Sequence, residues 1–411
     1  MLGISPFKST FCLTGTFSGF APNNARGISP TRTSLDLMAT NTDHEDAMMQ
    51  LCRARLISQM MPKFMIHGEY GSGKTHLANR VGHSLKRIFD DEHNLSLDII
   101  NIEIGEVTTT TNFEYLFTRM MDAAFPREVL EAALDDFKTA KQNDALAQGA
   151  TYTDTEYAAD LSSIFGKVSP CKAAVAAIQK IAQHGIISEG SVTGYEELRE
   201  GSTGITHSDQ RVRLIDCLST LFGVAQSRYF LFIVDQANAL EDVTNANAKS
   251  SWKAATIEMA DDEQSAFGWI FVTGSLAQTP TFFRDTQVLT RLGGEDDFEN
   301  QAITNLSTFN DISDLEAFFT RLFEGIIDQA ELRTRWASGA AGYTAADLSG
   351  ETFDENKYPF TEESLQKYLD EFISGANPVR THLQRLNKLA TIVVQDGRNF
   401  ILSSDVDQIL V

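Results

Sequence analysis

Short apolar runs, bounded by polar residues, alternate along the chain with stretches of helical spacing. The predicted strands are Phe64–Ile66, Leu97–Ile104, Tyr229–Val234, Trp269–Thr273 and Ala302–Leu306. Their alternating or uniformly apolar composition is typical of strands that are half or fully buried. Because helical patterns separate them, the chain is predicted to form a parallel sheet flanked by helices. Ligands of such sheets bind beyond the carboxyl ends of the strands.

Helical spacing also occurs before the first strand, within the middle of the chain and throughout its last hundred residues. The predicted helices are His44–Met60, a helix after the first strand to about Phe89, 113–124, 126–141, 171–184, Gln210–Ala225, 311–326, 361–373, 378–396 and a short helix after Ser403. The polar stretch Gln142–Asp160 is predicted to be a loop. The sequence therefore predicts a large helical insertion after the second strand and a helical bundle at the end.

The glycine-rich segment after the first strand matches the phosphate-binding P-loop pattern. Residues Gly68–Thr75 read G-E-Y-G-S-G-K-T and stand between an apolar strand and a helical pattern that starts at His76. The three glycines let successive backbone N–H groups face phosphate oxygens, and the following helix presents its positive end to the same anion. A glycine-rich surface turn is the alternative, but it would not need this strand and helix. The segment predicts binding of a nucleoside triphosphate.

The polar positions of the loop have expected roles with ATP and Mg²⁺ as cofactors. The ammonium of Lys74 can reach the β- and γ-phosphates, and the hydroxyl of Thr75 can hold the metal ion. The candidate nucleotide-binding residues are Gly68, Glu69, Tyr70, Gly71, Ser72, Gly73, Lys74, Thr75 and His76.

An acidic residue at the end of the third predicted strand completes the expected metal site. Asp235 is placed to bind Mg²⁺ with Thr75, directly or through water; the alternative is an aspartate that simply begins a loop. The next residue, Gln236, can orient water by hydrogen bonding but is no general base. General-base catalysis is typically worth about 10²–10⁴ in rate. The sequence therefore predicts slow hydrolysis, with Glu241 and Asp242 as candidate substitutes for the missing acid.

Hydroxyl and arginine side chains follow the fourth predicted strand. Thr273 or Ser275 is a candidate to place a hydroxyl near the γ-phosphate, with a strand-end cap as the alternative. Arg284 and Arg291 precede the last strand, where an arginine can reach a neighbouring subunit's γ-phosphate and stabilise the transition state. Surface salt bridges are the alternative for both. The candidate catalytic residues are Lys74, Asp235, Gln236, Thr273, Arg284 and Arg291.

Composition is that of a folded protein without a membrane span. Of the 411 residues 42% are hydrophobic, and no apolar stretch approaches the roughly 20 residues needed to cross a bilayer. The start of the chain lacks the basic region and apolar core of a signal peptide. The cysteines show no paired spacing and are expected to be reduced thiols of a cytoplasmic protein. The net charge of −22 argues against a globally basic DNA-binding protein and leaves a local basic surface open.

Taken in order, these motifs resemble those of the AAA+ ATPases. The similarity is greatest to replication-initiator (origin-recognition) proteins and transposition-regulator ATPases, and it covers roughly residues 50–411. Gly68–Thr75 resembles Walker A, Phe230–Gln236 resembles Walker B, and Ile270–Ser275 resembles the sensor 1 strand. The family usually carries a glutamate at the position of Gln236.

Two further segments carry the resemblance. Gly375–Leu383 is similar to the sensor 2 motif, in which Arg380 matches the arginine that faces the nucleotide. Thr290–Leu292 resembles the motif that ends in the trans-acting arginine, which favours Arg291 over Arg284. The candidate phosphate contacts of the C-terminal helices are Arg380, Arg385, Lys388 and Arg398, with a solvated helix surface as the alternative.

The resemblance implies an AAA+ core, a parallel five-stranded sheet flanked by helices, and a C-terminal α-helical lid. It divides the chain into an extended or partly ordered arm (1–45), an α/β nucleotide-binding domain (46–308) with a helical insertion at about 105–205, and the lid (309–411). Replication initiators generally continue into a winged-helix domain, whereas this chain ends with the lid. An assembly or regulator subunit is therefore expected.

The implied function is an ATPase that assembles into a ring or filament when ATP is bound. The assembled form would recruit or regulate a partner protein, with DNA as a further candidate partner, in a mobile-element, antiphage or replication-type system. The alternative is a nucleotide-dependent scaffold or switch with little or no hydrolysis, because Gln236 replaces the glutamate. A small-molecule P-loop kinase fits the sensor and lid pattern poorly.

Overall fold

The apolar runs form a parallel sheet in the computed structural model of the protein. The structure describes residues 10–13, 42–182, 189–200, 205–261, 266–292, 303–306, 309, 311–338, 343–373 and 379–410. The strands are β1 Lys63–Gly68, β2 Ser96–Glu103, β3 Arg228–Asp235, β4 Phe267–Val272 and β5 Ile303–Leu306. Their spatial order is β2-β3-β4-β1-β5, so β2, β3 and β4 are neighbours in chain order and β1 lies between β4 and β5.

The central strands pair in parallel with one continuous register. Lys63 of β1 lies opposite Trp269 of β4, and β3 pairs with β2 on one side and β4 on the other. Every residue of β1 and β4 is buried, which is typical of strands covered on both faces. The predicted α/β class with a parallel sheet is confirmed.

Helices connect the strands and make up the C-terminal part of the chain. They are α1 Thr42–Ile57, α2 Lys74–Arg87, α3 Glu114–Ala124, α4 Arg127–Ala147, α5 Asp154–Ile164, α6 Cys171–Ala182, α7 Glu189–Arg199, α8 Ser208–Gln226, α9 Ala246–Ala260, α10 Thr286–Leu292, α11 Ile312–Ile326, α12 Gln329–Ser338, α13 Glu362–Phe372, α14 Val379–Gln395 and α15 Ser403–Ile409. No helix in the described ranges is long and apolar enough to span a membrane.

The prediction of a loop over Gln142–Asp160 is wrong, because helices cover most of this stretch. Helix α4 continues to Ala147, and α5 begins at Asp154. A capping box starts α5: Thr153 and Glu156 each accept a hydrogen bond from the other's backbone N–H. The local capping energy and the burial of apolar side chains outweigh the polar composition of the stretch.

The chain divides into two compact units. One comprises Met1–Thr42, Gly68–Arg80 and Leu306–Val411, and the other comprises Asp43–His67 and Val81–Asn305. We call them the helical unit and the sheet unit. The core of the helical unit is aromatic-rich and is formed by side chains of α11 to α15 and of the segment between α12 and α13.

A short N-terminal segment is part of the helical unit's core. Phe11 is fully buried and packs against Tyr358 at a ring-centroid distance of 6.4 Å. The N–H of Asp328 donates to the carbonyl of Cys12 at 2.7 Å, and the hydroxyl of Tyr358 donates to the carbonyl of Thr10 at 3.1 Å. The rest of the predicted arm before α1 lies outside the described residues.

Candidate functional site

The P-loop connects β1 to α2 and has the conformation that its glycines permit. Gly68, Gly71 and Gly73 have φ of +149°, +86° and +95°, a region that side-chain-bearing residues rarely adopt. The Lys74 ammonium donates to the carbonyls of Gly68 and Glu69, both at 2.8 Å. The lysine side chain therefore folds back across its own loop.

Helix α2 begins within the motif. The N–H of Leu77 donates a hydrogen bond to the carbonyl of Gly73 at 2.8 Å. The first N–H groups of any helix have no acceptor inside that helix, and they carry its positive partial charge. Thr75 is half-buried in this turn, and its carbonyl accepts a hydrogen bond from the Asn79 side chain at 2.8 Å. This start of a helix is a ready anion-binding site.

Gly68, the first residue of the loop, is packed too closely for a side chain. A Cβ on Gly68 would lie 2.6 Å from the carbonyl oxygen of Leu306 and 2.8 Å from the Ser72 hydroxyl. Ser72 itself is buried, whereas Glu69 and Tyr70 are exposed. The inner side of the loop is thus formed by backbone and small groups, as binding a phosphate requires.

In the sheet unit, β3 ends at Asp235 with its carboxylate next to the following backbone. One Asp235 oxygen accepts the N–H of Gln236 at 2.8 Å. Gln236 has left-handed backbone geometry, with φ of 59° and ψ of 31°, so the chain turns sharply out of the strand. Both side chains are partly exposed at the carboxyl edge of the sheet.

The side chain of Gln236 contacts a residue that sequence reasoning missed. Its amide nitrogen donates to a carboxylate oxygen of Glu103, the last residue of β2. Glu103 lies directly opposite Asp235 in the β2–β3 register. The predicted substitutes Glu241 and Asp242 are exposed on the short 3-10 helix Ala237–Asp242. The strand alternation of β2 is the signal that could have pointed to Glu103.

Thr273 is fully buried just beyond β4, and its hydroxyl is engaged inside the sheet unit. It lies 2.8 Å from the Thr279 hydroxyl and 3.1 Å from Nδ1 of His67. His67 Nδ1 is also 2.8 Å from the Thr279 hydroxyl, which closes a three-membered network. Ser275, the other predicted hydroxyl, is half-buried.

The two candidate arginines differ in their surroundings. Arg291, in the last turn of α10, pairs with Asp261 at 3.2 Å and donates to the carbonyl of Gln287 at 3.1 Å. Arg284 is exposed just before α10, and it forms no ion pair with another residue of the described ranges. The backbone of Arg380 lies in the first turn of α14, but its side chain and residues 374–378 are outside the described part of the chain.

Two other predicted phosphate contacts have structural partners in the helical unit. Arg398 binds Asp405 at 2.6 and 2.7 Å, and the pKa of its guanidinium is raised chiefly by hydrogen bonding to that carboxylate. Asp405 is 1% exposed and also accepts the N–H of Leu402 at 2.9 Å, so the pair fixes the start of α15. The Arg385 guanidinium stacks on Phe372, 4.1 Å from the ring centre.

No ready-made metal or thiol centre is found in the described part of the chain. No group of three or more His, Cys, Asp or Glu side chains there is arranged to hold a metal ion. Mg²⁺ with a nucleotide does not need one, because it is usually bound by one or two protein oxygens, phosphates and water. The four cysteines are free, and burial raises the pKa of both Cys52 and Cys217 to about 12.

The fold and the loop together define an α/β protein with a parallel sheet and a glycine-rich P-loop motif after its first strand. Solved structures similar to it include those of origin-recognition proteins. The Orc2 protein of Aeropyrum pernix in ADPNP–ADP complexes has a TM-score of 0.46 and 11% identity, over 90% of this chain and 68% of that one. The Orc1 protein of the same organism in complex with DNA has a TM-score of 0.44 and 10% identity, over 94% and 68%.

The Drosophila ORC bound to DNA is similar as well, with a TM-score of 0.43, 10% identity and coverage of 93% of this chain and 65% of that one. No protein-family model and no curated protein sequence matches the chain. The structural comparison thus finds the replication-initiator group that the sequence motifs resemble.

Proposed function

We propose that the protein is an AAA+ ATPase whose ATP-bound form assembles and recruits or regulates a partner, with DNA as a candidate partner. Its core would be the five-stranded sheet, and the helices of the helical unit would be the lid. ATP with Mg²⁺ would be the cofactor, and the cytoplasm the compartment. The proposal rests on the residues of this chain and not on the solved structures that are similar to it.

The observation that carries the proposal is the conformation of the P-loop. Three glycines with positive φ, a lysine folded over the loop and the start of a helix are what a nucleotide's phosphates require. A Cβ at Gly68 would clash with the Leu306 carbonyl and the Ser72 hydroxyl, so only glycine fits at the first position of the loop. Thr75 and Asp235 would hold Mg²⁺, which would neutralise charge on the β- and γ-phosphates when bound.

Nucleotide binding is tested by replacing the lysine. The Lys74→Ala variant should lose most of its affinity for Mg-ATP in calorimetric titration, because the only side-chain cation of the loop is removed. Lys249→Ala is the matched control, since Lys249 is exposed on α9. An unchanged affinity in Lys74→Ala, or an equal loss in the control, would count against the proposal.

Assembly is tested by size. Light scattering coupled to gel filtration should show a larger species with Mg-ATP than with buffer alone, and Lys74→Ala should stay small under both conditions. Wild-type protein of one size under all conditions would remove the assembly part of the proposal and leave the binding part. Repeating the experiment with double-stranded DNA tests whether DNA changes either the size or the turnover.

A second candidate function is a nucleotide-dependent switch with little hydrolysis. Gln236 favours it, because an amide cannot take a proton from the attacking water. Under this alternative the protein binds Mg-ATP and assembles, but radiolabelled ATP in the assembled protein remains ATP over hours. Conversion to ADP on the scale of minutes would exclude the switch.

A further inference from the structure

Strands β2 and β3 end side by side. This places the carboxylate of Glu103 beside Gln236, the residue that stands where the resembled family usually carries a glutamate. The register pairs Glu103 with Asp235, and the N–H of Ile104 continues the ladder by donating to the Asp235 carbonyl at 2.9 Å. The Gln236 amide donates to the Glu103 carboxylate. Glu103 is exposed, so water has access to its carboxylate.

The backbone around Glu103 is fixed by side chains of α3. Arg119 donates to the Glu103 carbonyl at 2.8 Å, and the Tyr115 hydroxyl accepts the N–H of Gly105 at 3.1 Å. The Arg119 guanidinium also stacks on the Tyr115 ring, 4.5 Å from its centre. The backbone that carries the Glu103 carboxylate is therefore held in place, as a catalytic group requires.

The two side chains of the Glu103–Gln236 pair differ in what they can do chemically. A carboxylate can accept a proton from water, and a neutral amide cannot. A donated hydrogen bond from Gln236 restricts the carboxylate's rotation and leaves its remaining lone pairs for water. The pair therefore holds both groups that one glutamate in the Walker B position would combine.

We propose that Glu103 is the general base for ATP hydrolysis and that Gln236 positions it. The inference rests on the proposed ATPase function. The oxygen of the attacking water forms a bond to the γ-phosphorus, and Glu103 takes the water's proton. The bond from the γ-phosphorus to the β,γ-bridging oxygen breaks, and its electron pair leaves with ADP. The proton then passes from Glu103 to solvent.

The test is the isosteric variant Glu103→Gln. Its kcat should fall by about 10²–10⁴, the usual contribution of a general base. Its affinity for a non-hydrolysable ATP analogue, and the Mg²⁺ concentration that this binding needs, should stay within twofold of wild type. Glu106→Gln is the matched control, because Glu106 is exposed on the same loop after β2. The control should keep wild-type kcat.

Two further variants separate the base from its positioning residue. Gln236→Met removes the amide donor at similar size and should lower kcat without changing the affinity for the analogue. The exchange Glu103→Gln with Gln236→Glu returns a carboxylate to the pair from the other strand, so it should recover turnover relative to Glu103→Gln alone. Because a glutamate at position 236 can itself act as a base, Gln236→Met, which adds no carboxylate, is the variant that tests the positioning role.

Several results would overturn the assignment. Turnover of Glu103→Gln within twofold of wild type would remove the base role, and so would a wild-type protein that binds Mg-ATP without any turnover. A loss of turnover that the exchange does not recover would leave Glu103 a structural residue of β2. A change in the Mg²⁺ requirement would make Glu103 a metal ligand instead. Failure of wild type to bind Mg-ATP would refute the proposed function itself.

Discussion

At the scale of single residues, Gly68 joins β1 to the P-loop under two constraints that act together. Its φ of +149° is unfavourable for any residue with a side chain. A Cβ there would also come within 3 Å of the Leu306 carbonyl and the Ser72 hydroxyl. Backbone atoms cannot move aside as a flexible side chain can, so the loop itself must shift.

We expect Gly68→Ala to lose affinity for Mg-ATP and to be destabilised by about 1–3 kcal/mol, the usual cost of a strained backbone. Calorimetric titration and thermal unfolding measure the two effects. Gly350→Ala is the control, because Gly350 has a φ of +89° with no atom within 4 Å of its Cβ position. It should share the backbone strain and keep the affinity. Wild-type affinity in Gly68→Ala would contradict the close packing of the loop.

The same scale shows which site residues a sequence can reveal. The P-loop was predictable because all its chemistry lies within a few consecutive positions between a strand and a helix. The contact of Gln236 with Glu103 joins residues 133 positions apart and depends on the register of two strands. Likewise, the engagement of the Thr273 hydroxyl depends on its neighbours His67 and Thr279. The alternation of β2 marks Glu103 as a polar position at the strand end, but no local pattern gives the partners of these side chains.

At the scale of elements, the five strands and most helices follow from periodicity, whereas α5, α7, α9, α10 and α12 were not predicted. The bounds of β2, α8 and α13 lie within two residues of the prediction. Helix α5 was missed because the polar stretch hid its capping box. The packing of residues 10–13, which we call the N-terminal anchor, was also not predictable, since its contacts with Tyr343 and Tyr358 span more than 330 positions.

The anchor leads to a prediction for the helical unit. Phe11→Ala should destabilise that unit by about 3–5 kcal/mol, the usual cost of truncating a buried phenylalanine. Hydrogen exchange followed by mass spectrometry should show faster exchange in α11 and α12, because the Cys12 carbonyl and the Leu13–Ile327 bridge join the anchor to the junction between them.

Leu146→Ala is the control for this prediction. Leu146 is 73% exposed, so its truncation removes little buried surface and should leave exchange unchanged. Equal exchange of α11 and α12 in Phe11→Ala and wild type would show that the anchor adds nothing to the stability of the helical unit.

At the scale of the whole molecule, the net charge bears on the proposed DNA contact, and the arginines before β5 bear on the proposed assembly. A net charge of −22 makes a non-specific hold on DNA weak, so any DNA contact must be local. Arg284 and Arg291 are both exposed, and the Arg291–Asp261 pair is solvent-accessible and therefore weak. Either arginine can turn toward a neighbouring copy at small cost.

If an arginine acts on the neighbour's nucleotide, two inactive variants should restore each other. Lys74→Ala keeps both arginines but does not bind ATP, and the double variant Arg284→Ala/Arg291→Ala binds ATP without a stabilising arginine. An arginine supplied in trans is worth about 10³–10⁵ in kcat, so an equimolar mixture should turn over far faster than either variant alone. Steady-state phosphate release measures the effect.

The informative control is a mixture of Lys74→Ala with Asp235→Ala. Each of these proteins carries a defect in its own nucleotide site, so no arrangement of subunits produces an intact site and the mixture should stay inactive. Mixtures that only average their components in both experiments would mean that the arginines act within their own chain. A faster phosphate release in the arginine mixture alone would mean that the complete site forms only between two copies. Hydrolysis would then require assembly.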